Sequence, residues 1–361
     1  MENLKLNETP VRTARNFRIN NMKLENIEVP EVITSFENVT IIGDTSKIYI
    51  NSDTDTNLVY GLSEELTNQA KHGANQKIKL TINSNQNEKS KAEEKTEAEI
   101  DFKFDDENAA LIDNIEITAN ENTKSTVIIK YTSNQENESY HNGIIKAKAK
   151  KNSELNIVVV NLMNTKSNNF LAIENEFEEN AKINYTIVDF GGKHSITNYY
   201  SNLLGDNCDN QLNTIYLGKE NQVFDLNYIG ELRGKKSNID IEVQGALKDT
   251  SKKHFKGTID FKKGCKKATG NENEACMLLS DTAKSIALPM LLCSEEEVEG
   301  NHSSSAGKIG EKELFYIMSR GFELKEAMKL MVRARFNQIL EKIEKKELRE
   351  EILQEIDKRL D

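Results

Sequence analysis

The chain contains no tryptophan, only three prolines, and few aromatics of any kind, at 6% of residues. So little aromatic surface argues against a carbohydrate-binding face. Its four cysteines, Cys208, Cys265, Cys276 and Cys293, form no close CxxC pair. They are expected to be free thiols in a reducing compartment, and to behave as small buried apolar side chains. No apolar run approaches the ~18 residues of a membrane span. The opening stretch, MENLKLNETPVRTARNF, lacks the apolar core of a signal peptide, so a cytoplasmic location is expected. The net charge of −11 speaks against nucleic acid as a partner, because phosphates select a basic face. There is no Walker A loop, GxGxxG, GxSxG or HExxH. Neither nucleotide hydrolysis nor hydride transfer has residues to rest on. The chain reads as a non-enzyme, and any energy source must sit on another subunit.

What is present is alternation. Apolar residues recur with period two at Ile78, Leu80 and Ile82, then at Ala98, Ile100, Phe102 and Phe104, and at Ile115 and Ile117. The same pattern returns at Leu155, Ile157 and Val159, and at Ile183, Tyr185 and Ile187. It continues at Phe224, Leu226 and Tyr228, at Ile239, Ile241 and Val243, and at Phe255, Ile259 and Phe261. Each segment predicts a strand with one buried face. No amphipathic helix separates them between Val39 and Cys293, which excludes a doubly wound fold. A sandwich or barrel remains possible, as does a stacked solenoid. Hairpin signals are scarce, Asn142-Gly143 being the one good case, and this favours the solenoid.

The flanks differ. Residues 1–35 are mixed and polar, with Phe17, Ile19, Met22 and Leu24 suited to a short helix or arm and Pro30 marking its limit. Residues 83–99 are charged and of low complexity, a projecting loop. In the tail, Ile343, Leu348, Ile352, Ile356 and Leu360 fall at helical spacing.

The organising stretch is 270–340. Met277–Leu279 and Met290–Leu292 predict short buried strands. From Glu311 the period becomes helical. Leu314, Phe315 and Met318 share a face, Arg320-Gly321 supplies a stop, and a second stripe follows at Leu324, Ala327, Met328, Met331, Ala334 and Leu340. His302 stands at the changeover among small residues, and a neutral imidazole is a competent iron ligand. The plainer alternative is a histidine that only hydrogen-bonds its own loop.

The run MLLSD, Pro289, His302–Ala306, Glu313–Tyr316 (ELFY) and Ser319–Gly321 (SRG) resembles the SufB/SufD family of iron–sulfur cluster assembly scaffolds. The resemblance implies a right-handed parallel β-helix core over 36–299. It also implies an N-terminal arm or helical segment over 1–35 and a C-terminal helical domain over 300–361. It makes His302 the candidate for cluster assembly, with a transient iron–sulfur cluster at the interface with a partner. It assigns the helix pair to docking of a SufC-type ABC ATPase through Leu314, Phe315, Met318, Arg320, Gly321, Met328, Met331 and Arg335. The same helices would serve, at the least, as a cap on the end of the stack. The second partner is a SufB-type homologue or another copy of this chain. The cysteines expected of a SufB-type chain are absent from their motif positions, which points to the SufD type. Gly300 stands where SufD-type chains often carry a cysteine two residues before the histidine. A SufB-type homodimer that itself holds the cluster, and an unrelated β-solenoid, are the alternatives.

Overall fold

The chain is described by a computed structural model covering all residues except 1, 13–18, 31–32, 44–47, 52, 84–95 and 135. The expected packing residue Phe17 and most of the expected 83–99 loop therefore lie outside the described residues. Thr96–Glu99, at the end of that loop, belong to a strand.

From residue 76 on, successive strands alternate between two nine-stranded sheets, so the chain winds into a stack of coils. One sheet holds β3 (Val39–Gly43), β6 (Thr96–Phe104), β8 (Lys124–Ser133), β10 (Glu154–Leu162) and β12 (Lys182–Asp189). It continues with β14 (Asp209–Gly218), β16 (Asn238–Leu247), β18 (Ala268–Leu278) and β20 (Val298–Lys308). The other holds β4 (Ile48–Asn51), β5 (Gln76–Ile82), β7 (Ala110–Ala119), β9 (Tyr140–Ala149) and β11 (Asn168–Phe177). It continues with β13 (His194–Leu203), β15 (Val223–Leu232), β17 (Lys252–Phe261) and β19 (Lys284–Cys293). Within these two sheets pairing is parallel from β5 and β6 onward, and antiparallel where β3 and β4 close the first coil. The expected parallel β-solenoid is the fold.

The apolar residues predicted to point inward do so, and form one continuous core between the sheets. No coil buries this face alone; its neighbours above and below complete it. Corner residues set the coil length. Asn122, Asn152, Asn180 and Asn207 all adopt left-handed backbone, with φ between 56° and 59°. Their side chains form a ladder, each amide donating to the one before at 2.9–3.1 Å across a repeat of 27–30 residues. Asparagine suits both demands, since it tolerates positive φ and carries donor and acceptor together.

Both outer faces are also covered. Strands β1 (Glu2–Leu6) and β2 (Met22–Ile27) pair antiparallel. With helix α1 (Glu64–Gly73) they pack on the odd-numbered sheet through Leu4, Leu6, Leu24, Leu66, Ile144 and Phe170. The described part of 1–35 thus holds two strands and no helix. The first described helix, at 64–73, falls within the stretch from Val39 to Cys293 that was expected to hold none; its Leu66 and Ala70 are buried. Double coverage explains the strands without clean alternation. Val127–Ile129 in β8 has side chains buried on both faces and reads as a continuous apolar run. Asn142-Gly143 makes no hairpin, but lies inside β9. A Cβ on Gly143 would fall 2.3 Å from Asp113 Oδ1, so glycine serves close packing there.

Three helices follow the last coil: α2 (Glu311–Ser319), α3 (Leu324–Leu340) and α4 (Lys346–Leu360). Helix α2 stops as expected, with Gly321 at φ 98°. Helices α3 and α4 do not sit over the end of the stack. They lie against the outer face of the even-numbered sheet, where Val332, Phe336, Ile339, Ile352 and Ile356 meet Val158, Val160, Val188, Phe190 and Leu217. The tail stripe is buried as expected, from Ile343 through Leu360. The α3 stripe is met only in part. Ala327 and Leu340 are buried as expected, joined by Val332, Phe336 and Ile339, whereas Leu324 and Ala334 are exposed and Met328 and Met331 are half-buried. The sheet selects the face that fits Phe190, not the face richest in methionine and alanine.

Candidate functional site

Because the helices fold sideways, the final coil stays open. Strand β20 is exposed along almost its whole length, and β19 is mostly half-buried. Strands β19 and β20 are each hydrogen-bonded on one side only. The expected division at residue 300 falls inside β20, and His302 lies in mid-strand, not at the start of a helical unit.

One coil below, the core changes character. Positions Ile239, Ile241, Val243 and Gly245 of β16 are in register with Gly270, Glu272, Glu274 and Cys276 of β18. All four β18 residues point inward, while Asn271 and Asn273 point out. Lys253, from the opposite sheet, places Nζ 2.7 Å from Glu274 Oε1, and both side chains are fully buried. Tyr216 Oη donates to the same oxygen at 3.2 Å, and Ser304 Oγ donates to Oε2 at 2.8 Å. Glu274 is thus well satisfied. Glu272 is not: it is 2% exposed and neither carboxylate oxygen has a partner. Its carboxyl group lies over Gly257, where a Cβ would come within 2.1 Å of Oε2. Burial, and then the nearby Glu274 charge, push its pKa up to about 8.

His302 is the in-register partner of Glu272 across the β18–β20 ladder. The Ser304–Glu274 hydrogen bond identifies the inward face of β20, and His302, two residues earlier, shares that face. Asn301 and Ser303 reach Asn271 and Asn273 on the outer face. The imidazole therefore stands at the mouth of the solenoid interior, above a buried carboxyl group. The period-two string Glu272-x-Glu274-x-Cys276 carried this signal in the sequence. An expectation that inward positions are apolar passes over it.

The cysteines do not gather. Cys208 is buried, and burial pushes its thiol up to about 11. Cys265 is buried too and likewise raised to about 11, so its lysine neighbours do not activate it. Cys276 is buried, with burial the main cause of its raised pKa. Cys293 is exposed, against the expectation of burial. Among the described residues no group of three or more His, Cys, Asp and Glu side chains is arranged to hold a metal. His302 has no thiolate beside it, so the ligands for a cluster here would have to come largely from elsewhere.

The docking candidates separate into two places. Leu314 is half-buried, while Phe315, Met318, Arg320 and Gly321 are exposed on α2, which has no buried residue at all. Phe315 is 74% exposed, and Tyr316, Phe322 and Leu324 extend the apolar surface. The Arg320 guanidinium lies 5.1 Å from the Tyr316 ring. Met331 and Arg335 instead line a cleft of about 400 Å³ with Glu313, Ala306 and Cys276. Met328 is half-buried nearby on α3. Arg333 is already forked onto Asp357 and is not a free donor.

Residues 102–335 match the family model for the SUF system FeS cluster assembly SufBD core domain. The chain is 28% identical over 152 residues to the iron–sulfur cluster assembly protein SufD of Bacillus subtilis, covering 42% of this chain and 35% of that one. It is 33% identical over 157 residues to an iron–sulfur cluster assembly SufBD family protein of Pyrococcus horikoshii, covering 43% and 34%. A Methanothermobacter thermautotrophicus member is 30% identical over 133 residues, covering 36% and 31%. The aligned part spans about a third of each of these relatives. No helix among the described residues is long and apolar enough to cross a membrane. With the core matched along most of its coils, the chain belongs to the SufBD family of iron–sulfur cluster assembly proteins.

Proposed function

We propose that this chain is a non-catalytic, SufD-type scaffold subunit of the Suf iron–sulfur assembly machine. A SufC-type ATPase docks on α2, a second scaffold chain meets the open final coil, and His302 faces that partner's thiolate where a cluster is built as cargo. The observation that carries this reading is α2 itself. An apolar helix with no buried residue, standing beside an open sheet end, has the character of an interaction surface. Phe315 and Met318 supply the adaptable apolar part, and Arg320 a planar donor. Nucleotide binding on the ATPase can remodel the scaffold only by favouring one arrangement of the two chains over the other.

Removing everything after Gly310 would not test docking cleanly, because α3 and α4 cover the sheet. Substitutions confined to α2 avoid this. Phe315→Asp together with Met318→Asp is expected to abolish capture of the SufC-type ATPase while leaving the fold intact. Full capture by that variant would overturn the docking assignment.

A further inference from the structure

The corner that leads from the odd-numbered to the even-numbered sheet is left-handed in six successive coils, at Asn122, Asn152, Asn180, Asn207, Lys236 and Lys267, with φ between 56° and 61°. Asparagine tolerates this backbone, and lysine has no such preference for it. Lys236 and Lys267 also end the amide ladder, because neither side chain makes a hydrogen bond or ion pair. The two coils thus give up an easy backbone and a ladder, and what replaces them is charge. Of the eleven residues in turns 233–237 and 262–267, seven are Lys or Arg and none is acidic, in a chain of net charge −11. The turns are stacked directly, with Lys236 N donating to Lys266 O at 2.9 Å. Arg233, Lys262 and Lys266 are engaged with Glu231, Asp260 and Glu297. Lys235, Lys236, Lys263 and Lys267 are exposed, and none of their ammonium groups has a partner. The carboxylates of Asp206 and Glu295 beside them accept from the backbone, at Lys235 N and Gly264 N. A left-handed lysine where asparagine is the local rule is an outlier that stability does not explain.

We infer that this corner is a docking surface for a partner protein that presents a short acidic segment. The extent of the patch sets the length of that segment. It covers two coils, about 4.8 Å apart, and carboxylates close it on both sides. Glu178, Glu179 and Asp206 lie in the turns below, and Glu295, Glu296 and Glu297 in the turn above. A nucleic acid, whose phosphates continue in both directions, would run onto those carboxylates, whereas a few clustered Asp or Glu side chains would not. Free, exposed lysines steer such a segment in and set its orientation more than they add affinity. The eleven residues of β20 separate this corner from α2 by about 35 Å, so the surface is distinct from the α2 face and does not rest on the scaffold reading.

The test uses the full chain and a fluorescent deca-glutamate peptide, followed by anisotropy at low salt. The wild type should bind the peptide saturably, and added salt should weaken that binding. Lys235→Gln, Lys236→Gln, Lys263→Gln and Lys267→Gln combined should weaken it roughly tenfold or more. Lys71→Gln, Lys182→Gln, Lys284→Gln and Lys346→Gln combined remove the same charge from exposed lysines elsewhere, and should bind as the wild type does. The pair Lys236→Asn and Lys267→Asn separates docking from structure. It should weaken peptide binding while its thermal midpoint stays at or above the wild-type value, since asparagine suits the backbone and can extend the ladder. A lowered midpoint in that pair would make the two lysines structural and overturn the inference. So would equal losses in the two quadruple variants, no saturable binding by the wild type, or tighter binding of a short DNA duplex than of the peptide.

Discussion

Lys253 and Glu274 face each other across the solenoid interior at 2.7 Å, from opposite sheets, and neither side chain reaches solvent. Taking both charges out of water is costly, and their attraction roughly offsets that cost. Removing one partner strands the other. Lys253→Met or Glu274→Leu alone should therefore destabilise the protein by about 3–5 kcal/mol, whereas the double variant should lie far closer to wild type. Denaturant unfolding of the four proteins in the cycle measures this.

The C-terminal helices give a contrast between two phenylalanines. Phe336 is fully buried, its ring 6.2 Å from that of Phe190 on the sheet. Phe336→Ala should cost about 3–5 kcal/mol and loosen the α3–α4 pair. Phe315 on α2 is exposed, and Phe315→Ala should change stability by no more than about 0.5 kcal/mol. Thermal unfolding, with limited proteolysis of the helical segment, distinguishes the two.

Asp189 gives the fold a pH dependence. Burial raises its carboxyl from 3.8 to about 7, although Ser195 and Asn161 donate to it. Folding therefore favours the protonated form. That stabilisation is complete below pH ~4 and is lost as pH rises through 7, a span on the order of 4 kcal/mol. His194, lowered to about 4 by burial, acts in the opposite sense over pH 6.5 to 4. The difference between wild type and Asp189→Asn cancels the histidine. The variant should gain on the wild type steadily between pH 4 and 7, and hold a constant advantage above that. Unfolding free energies at unit pH steps check the slope.

The corner ladder separates backbone from side chain. Asn180 has φ 58°, donates to Asn152 and accepts from Asn207. Asn180→Ala should cost about 1–2 kcal/mol, since Ala resists the left-handed region. Asn180→Gly restores the backbone but not the ladder, and should recover most of that loss. Wild type against Asn180→Gly gives the ladder's own share, and Asn180→Gly against Asn180→Ala gives the backbone's.

Much of this was legible in the chain itself. Alternation at Ile183, Tyr185 and Ile187, or at Phe224, Leu226 and Tyr228, fixes both the strand and its inward face, because a period of two belongs to a pleated chain whatever surrounds it. The stop at Gly321 and the tail stripe from Ile343 to Leu360 follow equally from local rules. Where two faces are covered, as at Val127–Ile129, alternation vanishes and the strand is harder to see.

Other properties were decided only by the assembled coils. Cys265 is buried and Cys293 exposed because one lies within the stack and the other at its open end, a distinction no neighbouring residue encodes. The helices α3 and α4 chose Phe336 over Met331 as their buried side because the sheet offered Phe190. The spacing of Glu272 and Glu274 shows that they share a face, but that this face is buried is decided only where β16, β17 and β20 close around it. Local sequence sets which residues share a face, but which face meets water depends on the coils that stack against it.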